Sequence, residues 1–221
     1  MNDKQLAIIA FPLVFLPALL TGLFNDVLLK PTIWWGFHAI YTISCFVSIG
    51  LLWLVLRTRR YTFRDIGLTG FKTSHIGWAI LFFFLAFMVW GLTDFVLKAI
   101  GITNAWGSEI KFSQGQEIAI IFFYAVIAAP LTEELLFRGY FITYVGKLIG
   151  NNLAACLSVL LFALYHYLGF GLAGGLQILL WGTFPTILFL WKKSLYPGIL
   201  MHAVNNFVVY VLFGLLASAV K

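Results

Sequence analysis

The chain has 221 residues, of which 62% are hydrophobic and only 10% charged, far from the soluble globular norm of about one charged residue in four. Apolar runs on the order of 20 residues, enough to cross a bilayer, recur from end to end, and their lack of period-2 alternation excludes a membrane β-barrel. The net charge of +6 reads as membrane topology and attraction to lipid headgroups, with no nucleic-acid partner.

The first apolar run, Leu6–Phe24, follows Asp3 and Lys4 and resembles a signal peptide. Thr21-Gly22-Leu23 is a poor cleavage site, however, so a retained helix is expected. Ile33–Leu56 forms a second span and leads into a basic loop holding Arg57, Arg59, Arg60, Arg64 and Lys72. Ile76–Ile100 is the third. The polar interruption over 101–116, with Trp106, Glu109 and Lys111, suits an interfacial loop. Four further runs follow: Ile118–Phe137, Leu153–Leu168, Leu172–Trp191 and Gly198–Val220. The expected fold is therefore all-α, a polytopic transmembrane bundle of about seven spans, or eight if Phe137–Gly150 holds a short extra helix. There are no repeats or low-complexity tracts, so residues 1–221 are expected to form one integral membrane domain, with the motifs confined to about 118–207. The first three helices offer little chemistry beyond His38, read as a helix-packing group, and Asp94, near a hydrated outer end.

Basic residues set the expected orientation. With the Arg57–Lys72 loop cytoplasmic, ten of the 14 Lys and Arg fall inside and Lys30, Lys98, Lys111 and Lys221 outside. That asymmetry predicts a cytoplasmic N-terminus. Cys45 and Cys156 both lie in spans, so buried structural thiols are expected and no disulfide framework is implied.

Ionisable groups inside spans are the informative departure, since each costs roughly 2.5–3.5 kcal/mol at the centre of a spanning helix. Three constellations stand out. In Glu133-Glu134-x-x-x-Arg138, Glu134 and Arg138 are four apart and share a helical face, the spacing of an ion pair. Glu133 lies about 100° around from Glu134, cannot easily share that arginine, and is free to face elsewhere. Pro130 just upstream predicts a kink or a fresh helix start. Second, Phe162-Ala163-Leu164-Tyr165-His166 ends an apolar helix in a histidine, with an aromatic one turn before. Third, His202 and Asn206 project from one face of the last helix, whereas Asn205 faces a neighbour. Interhelical hydrogen bonding could account for any one of these groups, but not readily for Glu, His, His and Asn on three helices.

The order E-E-x-x-x-R, F-x-x-x-H, H-x-x-x-N, each on its own hydrophobic helix, resembles the CPBP family of CAAX proteases and bacteriocin-processing enzymes, also called Abi. The resemblance covers Ile118 to Phe207, with all three motifs matched in full. It implies an intramembrane endopeptidase, in which Glu133, paired with His166, activates a water while His202 and Asn206 stabilise the oxyanion. Glu134, Arg138 and Phe162 then support the site. It also implies a bacterial or archaeal cell membrane and a peptide or protein substrate with a membrane-associated segment.

The residue chemistry agrees. Peptide hydrolysis needs a base for water, an acid for the leaving amine, and donors where charge develops on the carbonyl oxygen. No serine or cysteine in the motifs has a base beside it, so direct attack by water is favoured over an acyl-enzyme. Zinc held by Glu133, His166 and His202 is the mechanistic rival; the absence of an H-E-x-x-H helix favours catalysis without a cofactor. The functional alternative is a non-catalytic peptide-immunity protein or transporter using the same polar cavity, although transporters often carry polar breaks in both halves. Prenylated tails, pheromone or bacteriocin leaders and sorting anchors remain equally open as substrates. Straight helices leave one difficulty: His166, about 20 Å along its helix from Leu153, lies too deep to meet Glu133 and His202 near their cytoplasmic ends.

Overall fold

The computed structural model describes residues 2–23, 34–102 and 115–219, and among these the regular structure is entirely helical. The interfacial loop residues Trp106, Glu109 and Lys111 lie outside the described residues, as do Lys30 and Lys221. Seven helices follow one another: α1 (Asp3–Leu23), α2 (Trp34–Arg57), α3 (Ser74–Ala99), α4 (Gly115–Ile149), α5 (Asn151–Trp181), α6 (Thr183–Lys192) and α7 (Tyr196–Ala219). Six helical stretches among the described residues are long and apolar enough to cross a membrane: α1, Gly36–Arg57, α3, α4, Gly169–Lys192 and α7. The all-α polytopic bundle expected from composition is thus what the chain forms. Its apolar surface faces outward as lipid requires; Met88 and Phe95 on α3 are each 71% exposed, a pattern that would drive aggregation in water.

Two features shape the second half. The anticipated extra helix after Phe137 is the end of α4, which runs on without interruption to Ile149 and stops at Gly150. This helix is uneven along its length. Phe122–Ala128 and Glu134–Phe141 are wound as wider π turns, a form enriched at functional sites. Pro130 lies in the single α-helical segment between them, Ala129–Glu133, and, being interior to α4, removes one hydrogen bond from its ladder.

In α5 the chain reverses at Gly171, whose φ of 70° and ψ of −171° suit glycine alone. Beyond it, Gly175 returns against Tyr167, whose Cβ lies 3.0 Å from where a Cβ on Gly175 would be. The two arms correspond to the expected runs Leu153–Leu168 and Leu172–Trp191. The second arm falls within the spanning stretch Gly169–Lys192.

Several basic groups gather at one end. Lys147 pairs with Asp3 at 3.3 Å, Lys192 sits over the rings of Trp78 and Trp191, and Leu195 N donates to Gly67 O at 2.8 Å, docking the α2–α3 loop onto the α6–α7 turn. Within that loop Thr62 N donates to Asp65 at 2.7 Å; this bond and one from the Thr62 hydroxyl hold the Asp65 carboxyl below its usual range. Cys45 is buried as expected, but Cys156 is exposed on the outer face of α5; a thiol is apolar enough to face lipid.

The loop reaches the core through Ile66, which is fully buried against Gly139 of α4. A Cβ at Gly139 would lie 2.9 Å from the Ile66 carbonyl oxygen and 3.0 Å from Leu195 Cδ1. Gly139→Ala is therefore expected to destabilise by about 1–3 kcal/mol through overpacking, read as a lower melting temperature in detergent. Gly77→Ala, where the space is open, serves as the neutral control.

Candidate active site

The π-wound part of α4 begins at Glu134 and contains Arg138, which is completely buried. Every side of this guanidinium is occupied. Nη1 meets Glu134 Oε1 at 3.2 Å, Nε donates to Thr186 Oγ1 at 3.2 Å, and Nη2 donates to Gly182 O at 3.0 Å. Its flat face lies 4.2 Å over the ring of Phe162. The ion pair read from the spacing is present, and Phe162 takes a supporting position that spacing alone does not assign.

His202 of α7 joins the two glutamates. Its Nδ1 lies 3.1 Å from Glu134 Oε1 and its Nε2 lies 3.7 Å from Glu133 Oε2. The sequence reading separates the glutamates onto different faces by the 100° step of an α-helix, and both have α-helical dihedrals; the histidine nevertheless reaches both, one through each ring nitrogen. Trp181 and Phe162 hold the imidazole edge-on, at ring-centroid distances of 4.8 and 6.3 Å.

Glu133 is 4% exposed. Its Oε1 accepts from the hydroxyl of Tyr41 on α2 at 3.0 Å, and the Tyr41 hydroxyl also contacts that of Tyr165. Glu133 Oε2 has no hydrogen-bond partner; its distance to His202 is too long for a direct bond. The expected Glu133–His166 pair is not a direct contact. His166 Nδ1 lies 2.9 Å from the carbonyl of Phe162; a carbonyl only accepts, so Nδ1 carries the hydrogen and a neutral ring leaves Nε2 as the acceptor. Asn206 donates to Ala125 O in the first π turn at 2.9 Å and accepts from Asn205 at 3.2 Å, which leaves one amide hydrogen. Asn205 faces a neighbour, as anticipated, by accepting from Trp181 Nε1 at 3.2 Å.

All four expected catalytic groups, Glu133, His166, His202 and Asn206, line one cavity of about 980 Å³, together with Phe162. Glu134 and Arg138 are not among its lining residues and stand behind its wall. The depth problem posed by straight helices disappears because α4 runs on to Ile149 and α5 starts at Asn151, which places Glu133 and His166 at comparable distances along their helices from the turn at Gly150. The α5 reversal then brings Trp181 back beside Phe162, at a ring-centroid distance of 6.2 Å. Among the described residues, no three His, Cys, Asp or Glu side chains gather closely enough to hold a metal ion.

The first three helices contribute more than the sequence reading assigns them. Tyr41, His38, Asp94 and Lys98 all line the cavity. Asp94 is met by Lys98 at 2.6 Å and by Gln177 at 3.4 Å, and the His38 ring packs 4.6 Å from that of Tyr124. A signal for Tyr41 does exist. Tyr41, Ser44, Cys45 and Ser48 are all buried on α2 at helical spacing, a weakly polar stripe on an otherwise apolar span.

Fold and cavity define a multi-pass membrane protein with an ionisable site enclosed by its helices. Residues 115–208 match the family described as type II CAAX prenyl endopeptidase, Rce1-like. That is the CPBP family, so the resemblance carried by the three motifs holds for this segment. No curated protein and no solved structure matches the chain.

Removing the counter-charge of Arg138 tests the packing of the site. Glu134→Gln leaves a buried guanidinium facing a neutral amide and is expected to cost roughly 3–5 kcal/mol. Low yield and a lowered melting temperature in detergent are the expected readings, and a variant as stable as the wild type contradicts them.

Proposed function

We infer that the protein is an intramembrane endopeptidase in which Glu133 is the general base for an attacking water. The observation that carries this reading is the unpartnered Oε2 of Glu133, a buried carboxylate oxygen on the cavity wall with an imidazole 3.7 Å away. A buried acceptor without a donor is costly unless something fills the place, and a water is the smallest group that can.

In this reading Glu133 Oε2 takes a proton from the water as its oxygen attacks the scissile carbonyl carbon. His166 orients that water through its bare Nε2, and Glu133 returns the proton to the leaving amine. The carbonyl oxygen gains negative charge and is met by the remaining amide hydrogen of Asn206 and by His202. Because His202 Nδ1 faces the carboxylate of Glu134, Nε2 is a donor in the imidazolium form, which is what an oxyanion needs. Glu134 and Arg138 hold these groups in place from behind the wall. The whole chain acts as one domain, with the N-terminus cytoplasmic by the distribution of basic residues. Substrates are peptides or proteins that bring a membrane-associated segment to the cavity, a prenylated C-terminal tail being the one that the matched family's description suggests.

Glu133→Gln keeps the shape of the side chain and removes the base, so folded, well-expressed protein with activity lower by about 100–10,000-fold is expected. Mass spectrometry of membrane peptides from cells producing wild type or Glu133→Gln reads this directly. A cleavage product confined to the wild type supports hydrolysis, and identical peptide sets favour a non-catalytic binding or transport role. Asn206→Ala should lower kcat by about 100–1000-fold, the usual loss for one oxyanion donor, with KM little changed. His202→Ala should act in the same direction with an added loss of stability, since it also deserts Glu134.

The reaction as drawn uses no metal. Activity on a quenched fluorescent peptide ending in a farnesylated CaaX sequence is expected to survive a strong chelator. Loss on chelation and recovery with zinc would recast Glu133, His166 and His202 as ligands.

A further inference from the structure

The two oxygens of Glu133 are unequal. Oε1 is bonded by Tyr41 at 3.0 Å and Oε2 is unpartnered. Behind Tyr41 stands Tyr165, their hydroxyls in contact. Counting hydrogens orders the chain. Each phenol has one hydrogen and a carboxylate has none, so the Tyr41 hydrogen points to Oε1 and the Tyr165 hydrogen points to the Tyr41 oxygen. The chain runs from α5 through α2 to α4. Both rings are fixed by aromatic neighbours: Tyr41 edge-on to Tyr124 at 5.1 Å, and Tyr165 edge-on to Phe137 at 5.9 Å.

We propose that the Tyr165–Tyr41 hydroxyl chain is a positioning device for the Glu133 carboxylate, pinning Oε1 so that Oε2 is the oxygen presented to the attacking water. This rests on the reading of Glu133 as the general base. During attack the water O–H bond breaks, its proton goes to Oε2 and its oxygen bonds to the scissile carbonyl carbon. The Tyr41–Oε1 bond persists throughout and fixes the plane of the carboxyl group. Neither phenol touches the reacting atoms. Tyr165 acts only through Tyr41, and that dependence separates a relay from ordinary packing, in which each ring contributes on its own.

The test uses Tyr41→Phe, Tyr165→Phe and the double variant of the full chain in detergent, with two readouts. The first is the infrared carboxyl band of Glu133, assigned by its disappearance in Glu133→Gln. It should shift in Tyr41→Phe, shift less in Tyr165→Phe, and move no further when Tyr165→Phe is added to Tyr41→Phe. The second is cleavage of the farnesylated CaaX peptide. Tyr41→Phe should lower kcat by about 10–100-fold, the usual effect of losing a partner that orients a reacting group, with KM and melting temperature unchanged. The double variant should match Tyr41→Phe alone. An unmoved band in Tyr41→Phe overturns the proposal, as do additive losses in the double variant or full activity in both single variants. If Glu133→Gln is itself fully active, the assignment of Glu133 as the base fails instead, and the band still decides whether the relay exists.

Discussion

The buried guanidinium of Arg138 is the constraint on which the rest of the structure depends. An arginine with no exposed surface in a membrane-embedded core is tolerable only if its donors are met and its charge is answered. Glu134 answers the charge, while Thr186 and the Gly182 carbonyl take two further donors and Phe162 covers the face. These partners come from α4, α5, α6 and the turn that links the last two. Satisfying one side chain therefore fixes the relative placement of three helices. Through Glu134 the same cluster reaches His202 and so adds α7.

The adjacent glutamates divide the work of a charged site between scaffold and cavity. Each keeps one unpartnered oxygen, but the Oε1 of Glu134 is bound by Arg138 and His202 and that residue is absent from the cavity wall, whereas Glu133 lines it. The two are neighbours in sequence and both touch one imidazole. A displacement of that imidazole is therefore felt at both, and the charge cluster and the cavity form a single mechanical unit.

Much of this was legible in the sequence because membranes leave few options. Apolar runs of spanning length could only be helices, and Glu133, Glu134, Arg138, His166, His202 and Asn206 were conspicuous as polar groups inside them. The Glu134–Arg138 pair followed from spacing alone. Three things were not legible. Tyr41 looked like any aromatic in an apolar helix, since nothing local distinguishes a phenol that packs from one that reaches across to a carboxylate; the buried stripe with Ser44, Cys45 and Ser48 was the available hint. The reach of His202 to both glutamates comes from its two ring nitrogens, which a helical wheel of α4 alone does not contain. The reversal at Gly171 was marked only by neighbouring Gly169, Gly174 and Gly175, which fit a loop between spans as well as a hairpin.

The π turn at Phe122–Ala128 carries a consequence for chain length. A π turn holds one more residue than an α turn, and each residue of an α-helix rotates its successors by about 100°. Deleting a single apolar residue there would let the segment relax to ordinary winding with hydrophobicity intact. Glu133 and Glu134 would keep their facing, because the residue lost is the one the π turn holds in excess. The same deletion within the α-wound Ala129–Glu133 would swing them by about 100°, away from Tyr41 on one side and His202 on the other. The place at which a residue is lost between the start of α4 and its glutamates is thus a determinant of the site in its own right. Insertions and deletions in this span should be far less interchangeable than substitutions.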